Sequence, residues 1–123
     1  MVKGSRTKWI KIEYIEGLKG LILASTIFLE KPLRKKLNKD DIRYGGYLIS
    51  RLYDINDESW RFSDSEKRII AEALDVIKNL RETIKDVLNG KVDVDKIREV
   101  ICRADDISSK LSFLSLNVYY QLL

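Results

Sequence analysis

The chain is 123 residues long, with 23 Lys and Arg against 19 Asp and Glu, a net charge of +4 and 45% apolar residues. That length suits one domain, and that apolar share suits a packed core, so 1–123 reads as a single helical domain. The absence of His and the presence of a single Cys exclude Ser-His-Asp and Cys-His nucleophilic sites, His-ligated zinc and an internal disulfide.

The hydrophobic period is helical almost throughout. Only Ile10 to Tyr14 alternates like a strand. No second strand signal exists to pair with it, and a lone strand leaves its backbone groups unsatisfied. The same residues read as a helix through Ile12, Ile15, Leu18 and Ile22. The first expected helix runs from about Thr7 to Glu30, weakened at Gly17 and Gly20. Each glycine costs about 1 kcal/mol against Ala in a helix interior, so a bend or break there would divide the helix in two. The run Leu21 to Leu29 is apolar on nearly all sides, the pattern of a buried helix. It is nine residues long and bracketed by Lys19 and Lys31, too short to span a bilayer and too late for a secretory signal. The expectation is a cytoplasmic protein with no membrane segment. Pro32 ends or bends the helix.

Helix 2 is expected after Asn38, with Asp40 and Asp41 suiting the positive end of its dipole, and runs to about Tyr53. Its inner face is read as Ile42, Gly46, Ile49 and Tyr53, with Gly45 and Gly46 permitting close approach of another backbone. Asp54 to Arg61 is a polar loop. Ser63 followed by Glu66 is a capping-box pattern that opens helix 3. The core face of that helix is read as Ile69, Ile70, Ala73, Ile77, Leu80, Ile84, Val87 and Leu88, and Asn89-Gly90 stops it. Helix 4 opens at Asp93 or Val94 and runs to about Tyr120. Its core stripe is Ile97, Val100, Ile101, Ala104, Ile107, Leu111, Leu114 and Val118. The predicted fold is all-α: a compact bundle of four helices, or five if helix 1 breaks near Gly17 and Gly20.

Three surfaces stand out by helical angle. On helix 2, Arg43, Tyr47 and Arg51 share the face opposite the predicted core, with Tyr44 at its edge. Lys31, Arg34, Lys35, Lys36 and Lys39 precede them. Guanidinium groups grip phosphate and tyrosine rings stack on bases, so these eight residues are the candidate nucleic-acid contacts. Asp40 and Asp54 lie on the same face, and the plain alternative is that they pair with Arg43 and Arg51 as ordinary surface charge. On helix 3, Glu72, Asp75, Glu82 and Asp86 form one acidic stripe, flanked by Lys78 and Lys85. With no second acidic cluster to close a site, the stripe suits docking of a basic partner, or of this chain's own basic N-terminus, rather than metal or acid–base chemistry. On helix 4, Phe113, Leu116 and Tyr120 lie about opposite the core stripe, on the side of Cys102. A second apolar face of this kind marks a protein interface, unless the chain itself covers both sides of the helix.

Residues Gly17-Leu18-Lys19-Gly20 match the bare GxxG pattern of KH-type RNA-binding loops, but the sheet of that fold is not readable here. Trp9 and Trp60 read as core or edge anchors. No P-loop, dinucleotide-binding glycine signature, GxSxG elbow or paired CxxC is present, so no catalytic residue, metal or cofactor is expected. Gln occurs once while Ile, Lys and Glu abound, a composition that leans towards thermophiles. The leading expectation is a small non-enzymatic component of a nucleoprotein assembly, holding nucleic-acid phosphates through its basic third and another subunit, or a second copy, through helix 4. The alternative is a protein-binding inhibitor or adaptor that uses the acidic stripe and the second face of helix 4, with no nucleic-acid contact.

The net charge conceals a division. Residues 1–39 carry ten Lys and Arg against three Asp and Glu, or +7, while residues 40–123 carry thirteen against sixteen, or −3. The basic third either faces a polyanion or lies against the acidic stripe of helix 3.

Overall fold

A computed structural model describes residues 3–121, and the side chains of 6–121. Among them are four α-helices, α1 (Lys3–Glu30), α2 (Lys39–Tyr53), α3 (Asp64–Leu88) and α4 (Val94–Tyr120), with single 3-10 turns at Lys31–Leu33 and Ser59–Arg61. Helix α1 begins earlier than expected and passes through Gly17 and Gly20 as one unbroken helix. The Gly17 to Gly20 stretch is therefore mid-helix, not the loop that a KH fold requires.

The helix ends follow from local chemistry. The Asn38 side chain accepts from the Asp41 N–H at 2.8 Å, and the Asp41 carboxylate accepts from the Asn38 N–H at 3.0 Å. Ser63 and Glu66 form the same reciprocal box at α3, and Asp93 caps α4. Each box satisfies two amide donors that a helix start otherwise leaves orphaned. Gly90 closes α3 with φ of 83°, which glycine adopts without a Cβ clash. Asn89 stays out of the left-handed region, with φ of −89°.

Contacts between helices give an up-down-up-down bundle. Glu16 meets Ser115 and Lys8 meets Gln121, so α1 and α4 run antiparallel. Phe28 meets Tyr44 while Tyr14 meets Asn56, so α2 returns along α1. Lys11 and Glu66 pair near the starts of α1 and α3, which therefore run in the same direction.

The core is continuous across all four helices, from Ile15, Leu18, Ile22, Phe28 and Leu29 of α1 to Ile97, Ala104, Ile107, Leu111 and Val118 of α4. Core burial of this kind supplies roughly 25 cal/mol per Å² of apolar surface removed from water. The expected stripe of α3 is largely confirmed, with Val76 and Thr83 added and Ile69 and Leu88 only partly buried. On α4, Ser115 is buried and Ile101 only partly so. Buried hydroxyls are satisfied, Ser25 by the Leu21 carbonyl at 2.8 Å and Thr83 by that of Asn79 at 2.7 Å within their own helices, and Ser115 by the Glu16 carboxylate across to α1 at 2.8 Å.

Two expectations are corrected. The buried face of α2 is Asp41, Gly45, Leu48 and Leu52; of the expected Ile42, Gly46, Ile49 and Tyr53, only Ile49 packs against the core, partly buried, and the other three are exposed. The helix is turned by about 100° from the reading, because Gly45 packs under Phe28 and Leu88 and the capping carboxylate of Asp41 turns inward. Tyr53 lies outside, under the Arg81 guanidinium at 4.0 Å. Second, the apolar run of α1 is not covered all round: Leu23 and Ile27 are 58% and 53% exposed. Three neighbouring helices leave one side of α1 uncovered. Trp9 and Trp60 are surface residues, Trp9 edge-on to Tyr119 and Trp60 beneath the Arg61 guanidinium.

Candidate nucleic-acid interface

Helix α2 presents Lys39, Arg43, Tyr47 and Arg51 at successive intervals of four residues. All four are exposed. At 1.5 Å per residue they form a row with steps of about 6 Å along the helix. Arg43 has a loose contact with Asp40 at 4.0 Å. Neither Lys39 nor Arg51 has a carboxylate partner among the described residues, and Asp54 does not pair with Arg51. The Tyr44 and Tyr47 rings stack on each other, with centroids 6.1 Å apart and planes at 24°. Tyr44 in turn leans on the buried Phe28 ring at 6.2 Å, which braces the pair from below.

The basic segment before α2 is more occupied. Lys31 and Lys35 both reach the Asp41 carboxylate, at 3.2 and 3.5 Å. Arg34 contacts Glu30 at 3.7 Å. The Asn38 N–H first, and then the two lysines, hold the Asp41 carboxyl below its usual range against the opposing effect of burial. Lys36 is exposed and unpaired among the described residues. Of the eight expected contacts, Lys36, Lys39, Arg43, Tyr47 and Arg51 therefore present a free or nearly free polar group, and Lys31, Arg34 and Lys35 are engaged within the fold.

The acidic stripe of α3 is also engaged, by α4. Lys110 binds Glu72 at 3.0 Å, Arg103 binds Asp75 at 2.9 Å and Lys96 binds Asp86 at 3.1 Å. Glu82 remains outside this ladder, and among the described residues neither Lys78 nor Lys85 forms an ion pair. Among the described residues no ion pair joins the basic third to the stripe; Lys11 crosses to α3 but reaches the capping Glu66, at 2.9 Å.

Between α1 and α2 lies a groove of about 510 Å³. Its lining includes Gly17, Gly20 and Ala24 of α1 and Tyr44, Tyr47 and Arg51 of α2. In the sequence the two glycines stand as weak points of a helix and as a bare GxxG match. The signal for the groove was present: Gly17, Gly20 and Ala24 share one side of the helix, away from Ile15, Leu18 and Ile22.

On α4, Phe113, Leu116 and Tyr120 are exposed as expected, Phe113 by 69%. They adjoin Tyr119, which meets both Trp9 and Tyr120 edge-on. Cys102 is a free, exposed thiol. Among the described residues, no group of three or more potential metal ligands occurs, and no helix is long and apolar enough to cross a membrane. No family model, curated protein or solved structure matches the chain.

Proposed function

We propose that the chain is a non-enzymatic helical component of a nucleoprotein assembly, holding nucleic-acid phosphates along α2 and another protein subunit, or a second copy, on α4. The observation that carries the reading is the exposed row Lys39, Arg43, Tyr47 and Arg51. It combines cations little used by the fold with an aromatic side chain that can stack. Lys36 extends the row towards the start of the helix. The apolar patch of Phe113, Leu116 and Tyr120 supports the second contact.

Ion pairing inside the fold limits the rival reading. A protein-binding inhibitor or adaptor working through the α3 stripe would have to displace Lys96, Arg103 and Lys110 from their carboxylates. Glu82 and the α4 patch remain available to such a regulator.

Titration with salt tests the proposal. Binding of RNA or DNA should weaken steeply as salt rises, because each phosphate contact releases a counterion. Changing Arg43 and Arg51 to Glu together should abolish binding and leave the fold intact, since both side chains are exposed. Absence of binding to single- or double-stranded RNA and DNA at about 50 mM salt overturns the nucleic-acid reading and leaves the protein-binding one.

A further inference from the structure

Resting on that reading, we propose that the α1/α2 groove is a base-binding site for single-stranded nucleic acid, which takes an unstacked base while the phosphates follow the α2 row. A Cβ built on Gly17 or Gly20 would meet nothing within 4 Å. Packing within the chain therefore gives no reason for either glycine, although both weaken the helix that carries them. What they do create is a flat, open floor beside two braced tyrosine rings.

The lining carries two charged groups, Glu13 and Arg51. Neither has an ion-pair partner among the described residues. Their arrangement selects what enters. A phosphate in the depth of the groove would meet the Glu13 carboxylate and a floor of glycine and apolar side chains, with Arg51 as the one cation in the lining. A base brings an apolar face for Tyr47 and the glycine floor, and an amino edge from which Glu13 can accept. Arg51 stands where the groove meets the α2 row, so it can hold the phosphate of the same nucleotide. Bases in a duplex are stacked and paired, and so cannot enter. The site thus favours single strands whose bases carry an exocyclic amino group.

The glycines make a clean test, because the space above them is empty. Fluorescence anisotropy would compare oligocytidylate, oligouridylate and a duplex, each of about 12 nucleotides. The wild-type chain should prefer oligocytidylate. Gly17→Leu combined with Gly20→Leu fills the groove, and should weaken oligocytidylate binding by about tenfold without weakening binding to the duplex. Circular dichroism should show that the double variant keeps its helix content, and Glu13→Leu should erase the preference for cytosine over uracil. If a folded, groove-filled variant binds all three probes as wild type does, the base site is overturned and the α2 row stands. If filling changes only the oligomeric state on size exclusion, the groove belongs to a protein contact and the base site is again overturned. If the wild-type chain binds no probe at low salt, both the base site and the nucleic-acid function fall.

Discussion

A Cβ on Gly45 would stand 2.8 Å from both Leu88 Cδ2 and Phe28 Cζ, whereas one on Gly46 would meet nothing within 4 Å. Phe28 is fully buried, so moving its ring aside would disturb close-packed neighbours. Gly45→Ala should therefore destabilise the protein by about 1–3 kcal/mol through overpacking. Gly46→Ala should stabilise it by about 1 kcal/mol through helix propensity. Urea unfolding of the two variants checks the opposite signs, and equal effects would contradict the observed rotation of α2. Glu66 is a second residue whose neighbours decide its behaviour. Burial pushes its carboxyl up, but the Ser63 N–H and the Lys11 ammonium outweigh burial and leave it below its usual range. Asp41 is lowered as well. A carboxyl depressed in the folded state contributes stability above its unfolded pKa and loses it as pH falls through the folded value. Melting temperature should therefore drop as pH falls below about 4. The Asp41→Asn, Glu66→Gln double variant should lose less over that interval, though it starts lower. A parallel decline would show that other groups govern acid unfolding.

At the scale of the element, the caps were the most legible feature. Asn38, Ser63 and Asp93 are short polar residues placed immediately before periodic apolar runs, and each caps a helix. Removing the Ser63 hydroxyl in Ser63→Ala should cost about 1 kcal/mol, read from denaturant midpoints. Its loss should also free the N–H of Glu66, which now donates to it at 3.4 Å. The faces were less legible than the ends. In α2, apolar residues and glycines occupy more than one side, and periodicity alone does not rank Ile42 and Ile49 above Leu48 and Leu52. The ranking came from outside the helix, where the Phe28 ring demands a residue without a side chain opposite it. In α1 the exposure of Leu23 and Ile27 has a similar origin: a helix with three neighbours can bury three sides, however apolar its fourth.

For the whole molecule, the charge layout decides what remains for a partner. Pairing of α3 carboxylates with α4 cations, and of Lys31 and Lys35 with Asp41, uses much of the charge that looked available. Among the described residues, α2 keeps Lys39 and Arg51 without an ion pair and Arg43 only loosely held, α3 keeps Lys78 and Lys85, and exposed apolar side chains include Leu23 and Ile27 of α1, Ile42 of α2 and Phe113 and Leu116 of α4. Phe113→Asp tests the α4 surface directly. With Phe113 69% exposed, the change should shift stability by no more than about 0.5 kcal/mol. It should convert a homo-oligomer to a monomer in light scattering, or abolish pull-down of a co-purifying subunit. A wild-type chain that is monomeric alone and brings down no partner would remove α4 from the proposal.

The amino-acid sequence by itself determined that the chain is all helix, where three of its helices start, that Gly90 lies just beyond the end of α3, and that Phe113, Leu116 and Tyr120 fall outside the core. These properties depend on relations between residues three or four apart, which are set by the geometry of one helix. Only the tertiary structure decided which side of α2 is buried, which cations are spent on ion pairs, and that Gly17 and Gly20 border a groove instead of breaking a helix. Those outcomes depend on residues far apart in sequence: Gly45 with Leu88, Glu72 with Lys110, Gly17 with Arg51. The local pattern of one segment carries no information about which distant side chain will stand against it.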